Sequence, residues 1–150
     1  MQEITYELEE GAHAPTRAHA NDAGLDLYAN EDVILSFGSQ TFVKTGVHML
    51  IPAGYVGLIC PRSGLTKKGI VAEIGVIDAE FTGEIGVTLR LMNAKLDERG
   101  NLRPNVQILD KHSRIAQIVL LPIASLTPVA GDVSSTVTER GTNGFGSTGK

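Results

Sequence analysis

Residues 72–88 read AEIGVIDAEFTGEIGVT, two short apolar runs at 74–77 and 84–88 separated by polar and glycine residues that permit a tight reversal. That pattern predicts a β-hairpin. Asp78 stands near its turn, directly after Gly75, Val76 and Ile77. A carboxylate held against such an apolar stretch is partly desolvated and becomes a better base than a solvated one. The commoner use of a turn Asp is to accept bonds from backbone N–H groups. On the hairpin alone both readings stand.

Upstream, an apolar strand at 55–60 runs directly into PRSGLTKKG, residues 61–69. Pro61 ends the ladder, Ser63 can cap a single helical turn, and Gly69 can terminate it. A Ser beside Arg62 at such a turn also suits phosphate, because free backbone N–H groups and a fixed cation converge there. Further back, AGLDLYA at 23–29 alternates so that Asp26 lies on the face opposite Leu25 and Leu27. Segments 4–8, 32–35 and 40–51 read as strands, with Gly38-Ser39 and Gly46 as turn or bulge positions and 52–54 as a clear turn. Residues 13–21 lack helical periodicity and read as an extended approach.

Downstream, 85–92 extends a strand, 93–105 (NAKLDERGNLRPN) reads as a solvated loop, and 106–109 resumes β structure. In RIAQIV, residues 114–119, strict alternation puts Arg114 with Ala116 on one face and Ile115 with Gln117 on the other. Residues 118–123 complete a last core strand. The seventeen Gly and six Pro are spread through the chain and punctuate apolar runs rich in Val, Ile, Leu and Thr. Many short strands follow from that spacing.

At 150 residues and 42% hydrophobic, the chain is long enough for one domain with its own core. Thirteen Lys+Arg against seventeen Asp+Glu give a formal charge of −4. That balance argues against direct nucleic-acid binding and against an anionic membrane surface, so a phosphate ligand must meet a local arginine cluster. The single cysteine, Cys60, excludes an intramolecular disulfide and the usual zinc spacings. The N-terminus lacks a basic region followed by an apolar stretch, and no apolar run approaches the roughly 20 residues that span a bilayer. An intracellular, cytoplasmic protein is expected.

We divide the chain into a core at 1–133 and a mobile segment at 134–150, SSTVTERGTNGFGSTGK. The latter has nothing with which to build a packed element and alone reads as a flexible tail. Yet Arg140, the glycines at 141, 144 and 146, Phe145, Ser147 and Thr148 combine a cation, an aromatic plate and two hydroxyls on a pliant backbone. Such a loop can close its N–H groups over phosphates while the aromatic covers a ring. It is not a Walker loop, because no Gly-Lys-Ser/Thr opens a helix after a strand.

Taken in order, AGLDLYA, PRSGL, GVIDAEFTGEI, RIAQI and RGTNGFGSTG resemble the five motifs of the trimeric deoxyuridine triphosphatases (dUTPases), over residues 23–149. The resemblance implies an all-β, antiparallel jelly-roll-like fold of the β-clip type, in agreement with the strands read above. It implies a homotrimer with sites shared between subunits, and hydrolysis of dUTP to dUMP and pyrophosphate with Mg²⁺ bound through the triphosphate and waters. That reaction limits uracil incorporation into DNA and supplies dUMP for thymidylate synthesis. By the same resemblance Asp78 activates water, and Ser63 bonds the leaving side of the α-phosphate. Arg62, Gly64 and Gln117 contact phosphates, and Gly75, Val76 and Ile77 offer backbone groups to the uracil edge. Phe81 lies under the deoxyribose. Arg140, Phe145, Gly146, Ser147 and Thr148 form a lid, with Phe145 stacked on uracil. Asp26 takes a structural or water-mediated role, and no side chain is assigned as a direct metal ligand.

Several positions depart from the family pattern. Ala72 stands where many relatives have an Asn that helps hold the base, leaving Glu73 as a candidate replacement, and Phe81 stands where Tyr is usual. His112-Ser113 and Thr142-Asn143 replace more usual pairs. A dCTP deaminase is the nearest rival enzyme, but its base, a Glu about ten residues after the motif Asp, falls here on Thr88. A regulatory binding protein on the same scaffold, engaging a protein partner, is the third reading.

Overall fold

In this computed structural model residues 3–138 and residue 141 are described. Short apolar runs broken by Gly and Pro form, in chain order, β1 (Thr5–Leu8), β2 (Gly24–Tyr28), β3 (Val33–Ser36), β4 (Gln40–Leu50), β5 (Tyr55–Cys60), α1 (Ser63–Thr66), β6 (Ile70–Ala72), β7 (Gly75–Ile77), β8 (Glu84–Leu91), β9 (Lys95–Leu96), β10 (Leu102–Arg103), β11 (Val106–Leu109) and β12 (Arg114–Pro122). Two four-stranded antiparallel sheets result, ordered β1-β4-β8-β6 and β2-β12-β5-β7, with the small pairs β3-β11 and β9-β10 beside them. This is the antiparallel jelly-roll-like architecture expected.

The core lies between the two large sheets. Along β8 the alternation is regular, with Ile85, Val87, Leu89 and Leu91 buried in turn. They meet Val43 and Val47 of β4 and Ile59, Ile115 and Ile118 from the other sheet in one cluster. Each such aliphatic side chain contributes about 1.5–3 kcal/mol on burial. Among the described residues, no helix is long and apolar enough to cross a membrane.

One glycine sets the register of the larger pairing. The ladder between β4 and β8 shifts between Lys44 and His48. Gly46, expected as a turn or bulge position, sits there with φ +65°. Its N–H donates to Oε1 of Glu84 at 2.8 Å and its carbonyl accepts from the Glu9 N–H at 2.8 Å. The bulge thus fastens the end of β1 and the start of β8 to one point of β4.

The structure corrects three expectations. Residues 74–77 and 84–88 do not form a hairpin: β7 pairs with β5, whereas β8 lies between β4 and β6. The two runs differ in what they can bury. β8 carries a complete apolar face, but Val76 is 63% exposed and β7 remains at a sheet edge. The intervening residues 78–83 cross between sheets, which pack about 10 Å apart and lie well within reach of six residues. Secondly, 93–105 is not only a solvated loop. It contains the β9–β10 ribbon, closed by Asp97, whose Oδ1 accepts from the Arg99 and Asn101 N–H groups at 2.9 and 2.8 Å. These bonds favour the ionised carboxyl and hold its pKa below the ordinary value. Thirdly, RIAQIV does not alternate strictly, because the pairing of β12 with β2 shifts between Arg114 and Ala116. Ile115 and Ala116 are therefore both buried, and Gln117 is returned to the side of Arg114.

A side chain at position 46 would be strained twice. L-residues are disfavoured at this φ, and a β-carbon would lie 2.6 Å from Cβ of Ala12 and 2.8 Å from Nδ2 of Asn30. Gly46→Ala is expected to lower stability by about 2 kcal/mol or more, combining the left-handed penalty with overpacking. Urea unfolding reads this directly, and an unchanged midpoint would show that the bulge relaxes freely.

Candidate active site

The C-terminal end of β5, the α1 turn, β2 and the start of β12 enclose an open pocket of about 320 Å³. Asp26, Arg62, Ser63, Gly64, Arg114 and Gln117 line it. The strand register explains the convergence, since Gln117 is the pairing partner of Asp26 on one side and of Cys60, just before Pro61-Arg62, on the other.

Asp26 organises the charges. Its Oδ1 accepts from Nε of Arg62 at 2.7 Å and its Oδ2 from Nη2 of Arg62 at 3.3 Å and Nη1 of Arg114 at 3.4 Å. The Asp26 and Arg62 side chains are only 14% and 23% exposed, so this fork is poorly screened, whereas Arg114 is half exposed. One carboxylate against two guanidinium groups leaves a positive charge facing the pocket. Asp22, on the rim, turns its Oδ2 to the N–H and Nδ1 of His19.

Gln117 holds the approach to α1 by donating from Nε2 to the Pro61 carbonyl at 3.0 Å. It lies against Gly24, where a β-carbon would fall 2.3 Å from its Oε1. Ser63 is the first residue of α1, not its cap. The cap is Arg62, in extended conformation, and there is no side-chain cap hydrogen bond. The exposed Ser63 hydroxyl therefore stands at the pocket beside Gly64, both free of a capping duty. Gly69, with φ +78°, follows the turn as expected.

The remaining candidates lie elsewhere in the chain. Gly57, Leu58 and Ile59 of β5 pair with Ile77, Val76 and Gly75 of β7, so Asp78 falls level with Val56, at the opposite end of β5 from Arg62. The Glu80 N–H donates to the Ile51 carbonyl at 3.0 Å and anchors the turn at that end. Six extended residues separate the two levels by roughly 20 Å. One chain thus places Arg62 and Asp78 at opposite ends of β5. Asp78 itself is exposed, so the desolvation expected for it is not provided by its own chain. At an edge, Gly75, Val76 and Ile77 present alternate backbone groups away from β5. Phe81 is 43% exposed and its ring lies on Gly83. Arg140, Phe145, Gly146, Ser147 and Thr148 lie outside the described residues.

Comparison with known proteins places the chain in a family. The chain matches the family described as dUTPase over residues 10–149. The chain belongs to the dUTPase family. A deoxyuridine 5'-triphosphate nucleotidohydrolase of Mycobacterium marinum is 41% identical over 152 residues, covering 95% of this chain and 91% of that protein. The dUTPase of Staphylococcus bacteriophage 80alpha, solved with dUPNHPP, is similar over the full length of both chains with a TM-score of 0.87 and 30% identity. A mutant dUTPase of S. aureus phage phi11, whose structure is described by the coordination of a structural Mg(II) ion, gives a TM-score of 0.73 at 30% identity over 89% of this chain and 98% of its own.

Within this dUTPase chain, two side chains have partners that the sequence did not indicate. Glu73, the candidate replacement for the base-holding Asn, is paired through Oε1 with Arg90. Arg114 joins the pocket although strict alternation placed it away from Gln117; only the register shift in β12 reveals it. As to magnesium, the described residues bring no three His, Cys, Asp or Glu side chains together as a metal site, and both oxygens of Asp26 already accept from arginines. This donor set suits a hard cation only if triphosphate and water supply most of its ligands.

Removing the carboxylate charge isolates what Asp26 does. Asp26→Asn is expected to cost about 1–2 kcal/mol, less than a fully buried pair because Arg114 is half exposed. With the fork released, KM for the triphosphate should rise more than kcat falls. An unchanged KM together with unchanged stability would remove Asp26 from the organisation of this pocket.

Proposed function

We propose that this dUTPase completes each active site from more than one subunit of a homotrimer, pairing the Arg62 pocket of one chain with the Asp78 end of a neighbour. The observation that carries this reading is the separation of the half-sites along β5. The reaction is hydrolysis of dUTP to dUMP and pyrophosphate. Water attacks the α-phosphorus, the bond from that phosphorus to the bridging oxygen breaks, and pyrophosphate leaves.

In this reading Arg62 and Arg114, aligned by Asp26, receive the phosphate oxygens. Ser63 donates to the leaving side of the α-phosphate, while Gly64 and Gln117 shape the approach. The neighbour's Asp78 takes a proton from the attacking water, a role that its exposure in the single chain permits. The free edge of Gly75, Val76 and Ile77 meets the uracil edge with backbone donors and acceptors. No side chain is assigned to hold Mg²⁺ directly; bound through the triphosphate and waters, it would supply neutralisation of charge on the phosphate oxygens. Arg140 and Phe145, with Gly146, Ser147 and Thr148, close the site from segment 134–150 as a lid. Because the substrate is a dissolved nucleotide, we assign the activity to the cytoplasm.

Complementation tests the shared site. Asp78→Asn alone should lose about 10²–10⁴-fold in kcat, the usual contribution of a general base. A chain carrying Arg62→Ala and Ser63→Ala should also be inactive. Co-refolded at equal amounts, the two variants should regain about a quarter of wild-type activity, since a random trimer pairs the two intact halves at one site in four. No recovery in mixed trimers of confirmed composition would place the whole site within one subunit.

Sugar selection follows from Phe81. Its ring, fixed on Gly83, leaves an added 2′-hydroxyl without a polar partner. Phe81→Ala should reduce the dUTP/UTP ratio of kcat/KM by at least about tenfold, whereas Phe81→Tyr changes it little. If Phe81→Ala keeps the wild-type ratio, the sugar is read elsewhere.

A further inference from the structure

The peptide unit beside the Phe81 ring is hydrogen-bonded to an imidazole. A β-carbon at Gly83 would lie 2.3 Å from Cζ and 2.8 Å from Cε2 of Phe81, so ring and Gly83 backbone are in direct contact. The carbonyl of the preceding Thr82, part of the same peptide plane, accepts from Nδ1 of His48 at 2.9 Å. Nε2 of His48 faces Oε1 of Glu9 at 3.4 Å. A carbonyl and a carboxylate can only accept, so engaging both requires a proton on each ring nitrogen. The geometry is that of an imidazolium spanning two elements.

We propose that His48 is a positioning residue for sugar selection: as an imidazolium it clamps the Thr82–Gly83 peptide against the Phe81 ring, and the clamp loosens when the ring loses a proton. The proposal rests on the reading of Phe81 as the sugar platform.

The surroundings favour the charged form. Glu7 is the cross-strand partner of His48 on β1, Glu9 follows that strand, and Glu84 is its partner on β8. Lys44, the nearest cation on β4, is directed to Glu84 at 3.9 Å. The Thr82 carbonyl bond raises the His48 pKa above its ordinary value, opposed by burial and reinforced by Glu9 and Glu84. A group whose folded pKa is raised contributes fully below its unfolded value, and that contribution is lost as pH rises through the folded one. Neutral His48 has a single N–H and keeps only one of its two contacts, so the peptide is held less firmly in alkaline solution.

The experiment measures the dUTP/UTP ratio of kcat/KM between about pH 5.5 and 9, spanning the histidine range. Titration of the triphosphate and of uracil is common to both nucleotides and cancels in the ratio. Wild type should lose about two- to tenfold in selectivity across this range, the worth of one hydrogen bond. His48→Leu should show a lower, pH-independent ratio, and His48→Gln a pH-independent ratio closer to the acid wild-type value. Glu9→Gln leaves the imidazole in place but removes a carboxylate, so the midpoint should move to lower pH; this variant carries the test if His48→Leu does not fold. A flat wild-type ratio, a step that survives in His48→Leu, or an unmoved midpoint in Glu9→Gln would overturn the proposal. Phe81→Ala separates the two readings. If it leaves the ratio intact, the sugar platform fails; if it lowers the ratio while the wild type stays flat with pH, only the His48 clamp fails.

Discussion

Strand β5 is hydrogen-bonded to β12 along one edge and to β7 along the other, and this double pairing determines where Arg62, Gln117 and Asp78 lie. Its pairing with β12 brings Gln117 level with Cys60 and so beside the PRSG turn. Its pairing with β7 sends Asp78 to the far end. Because an extended strand advances about 3.3 Å per residue and cannot be shortened, the two groups cannot meet within one chain. The separation of Asp78 from Arg62 is thus a consequence of sheet geometry. The interior of β5 is committed to the core through Ile59, which leaves its two ends for chemistry.

Electrostatic order in the Asp26–Arg62 pocket comes from a deficit of negative charge. Asp26 bonds both arginines without neutralising them, and its limited exposure keeps the Arg62 fork in one orientation. A bidentate pair of this kind restricts guanidinium geometry in a way that a surface lysine could not. The chain as a whole is acidic, with a formal charge of −4, so the positive charge of this constellation is a local feature.

At the other end of β5, irregular backbone does comparable work. The Gly46 bulge gathers Glu9 and Glu84 around β4, and His48 lies two residues beyond it, where it reaches Thr82. The segment 78–83 that crosses between the sheets is therefore not a free loop. The Ile51 carbonyl holds it at Glu80 and His48 holds it at Thr82.

Local chemistry in the sequence by itself determined the strand-rich class, the bulge at Gly46, the turn after Pro61 and its termination at Gly69, because glycine conformations and apolar alternation are properties of neighbouring residues. The five ordered motifs determined the family. Pairing partners are distant in sequence, and there the tertiary structure decided. Two adjacent apolar runs, 74–77 and 84–88, went to different sheets because only the second had a full face to bury. Arg114 joined Gln117 because one shifted residue in β12 reverses every side chain beyond it. Ser63 was freed from capping because the extended Arg62 took the cap position. The distance between Asp78 and Arg62 was likewise set by the register of β5, which no local pattern encodes.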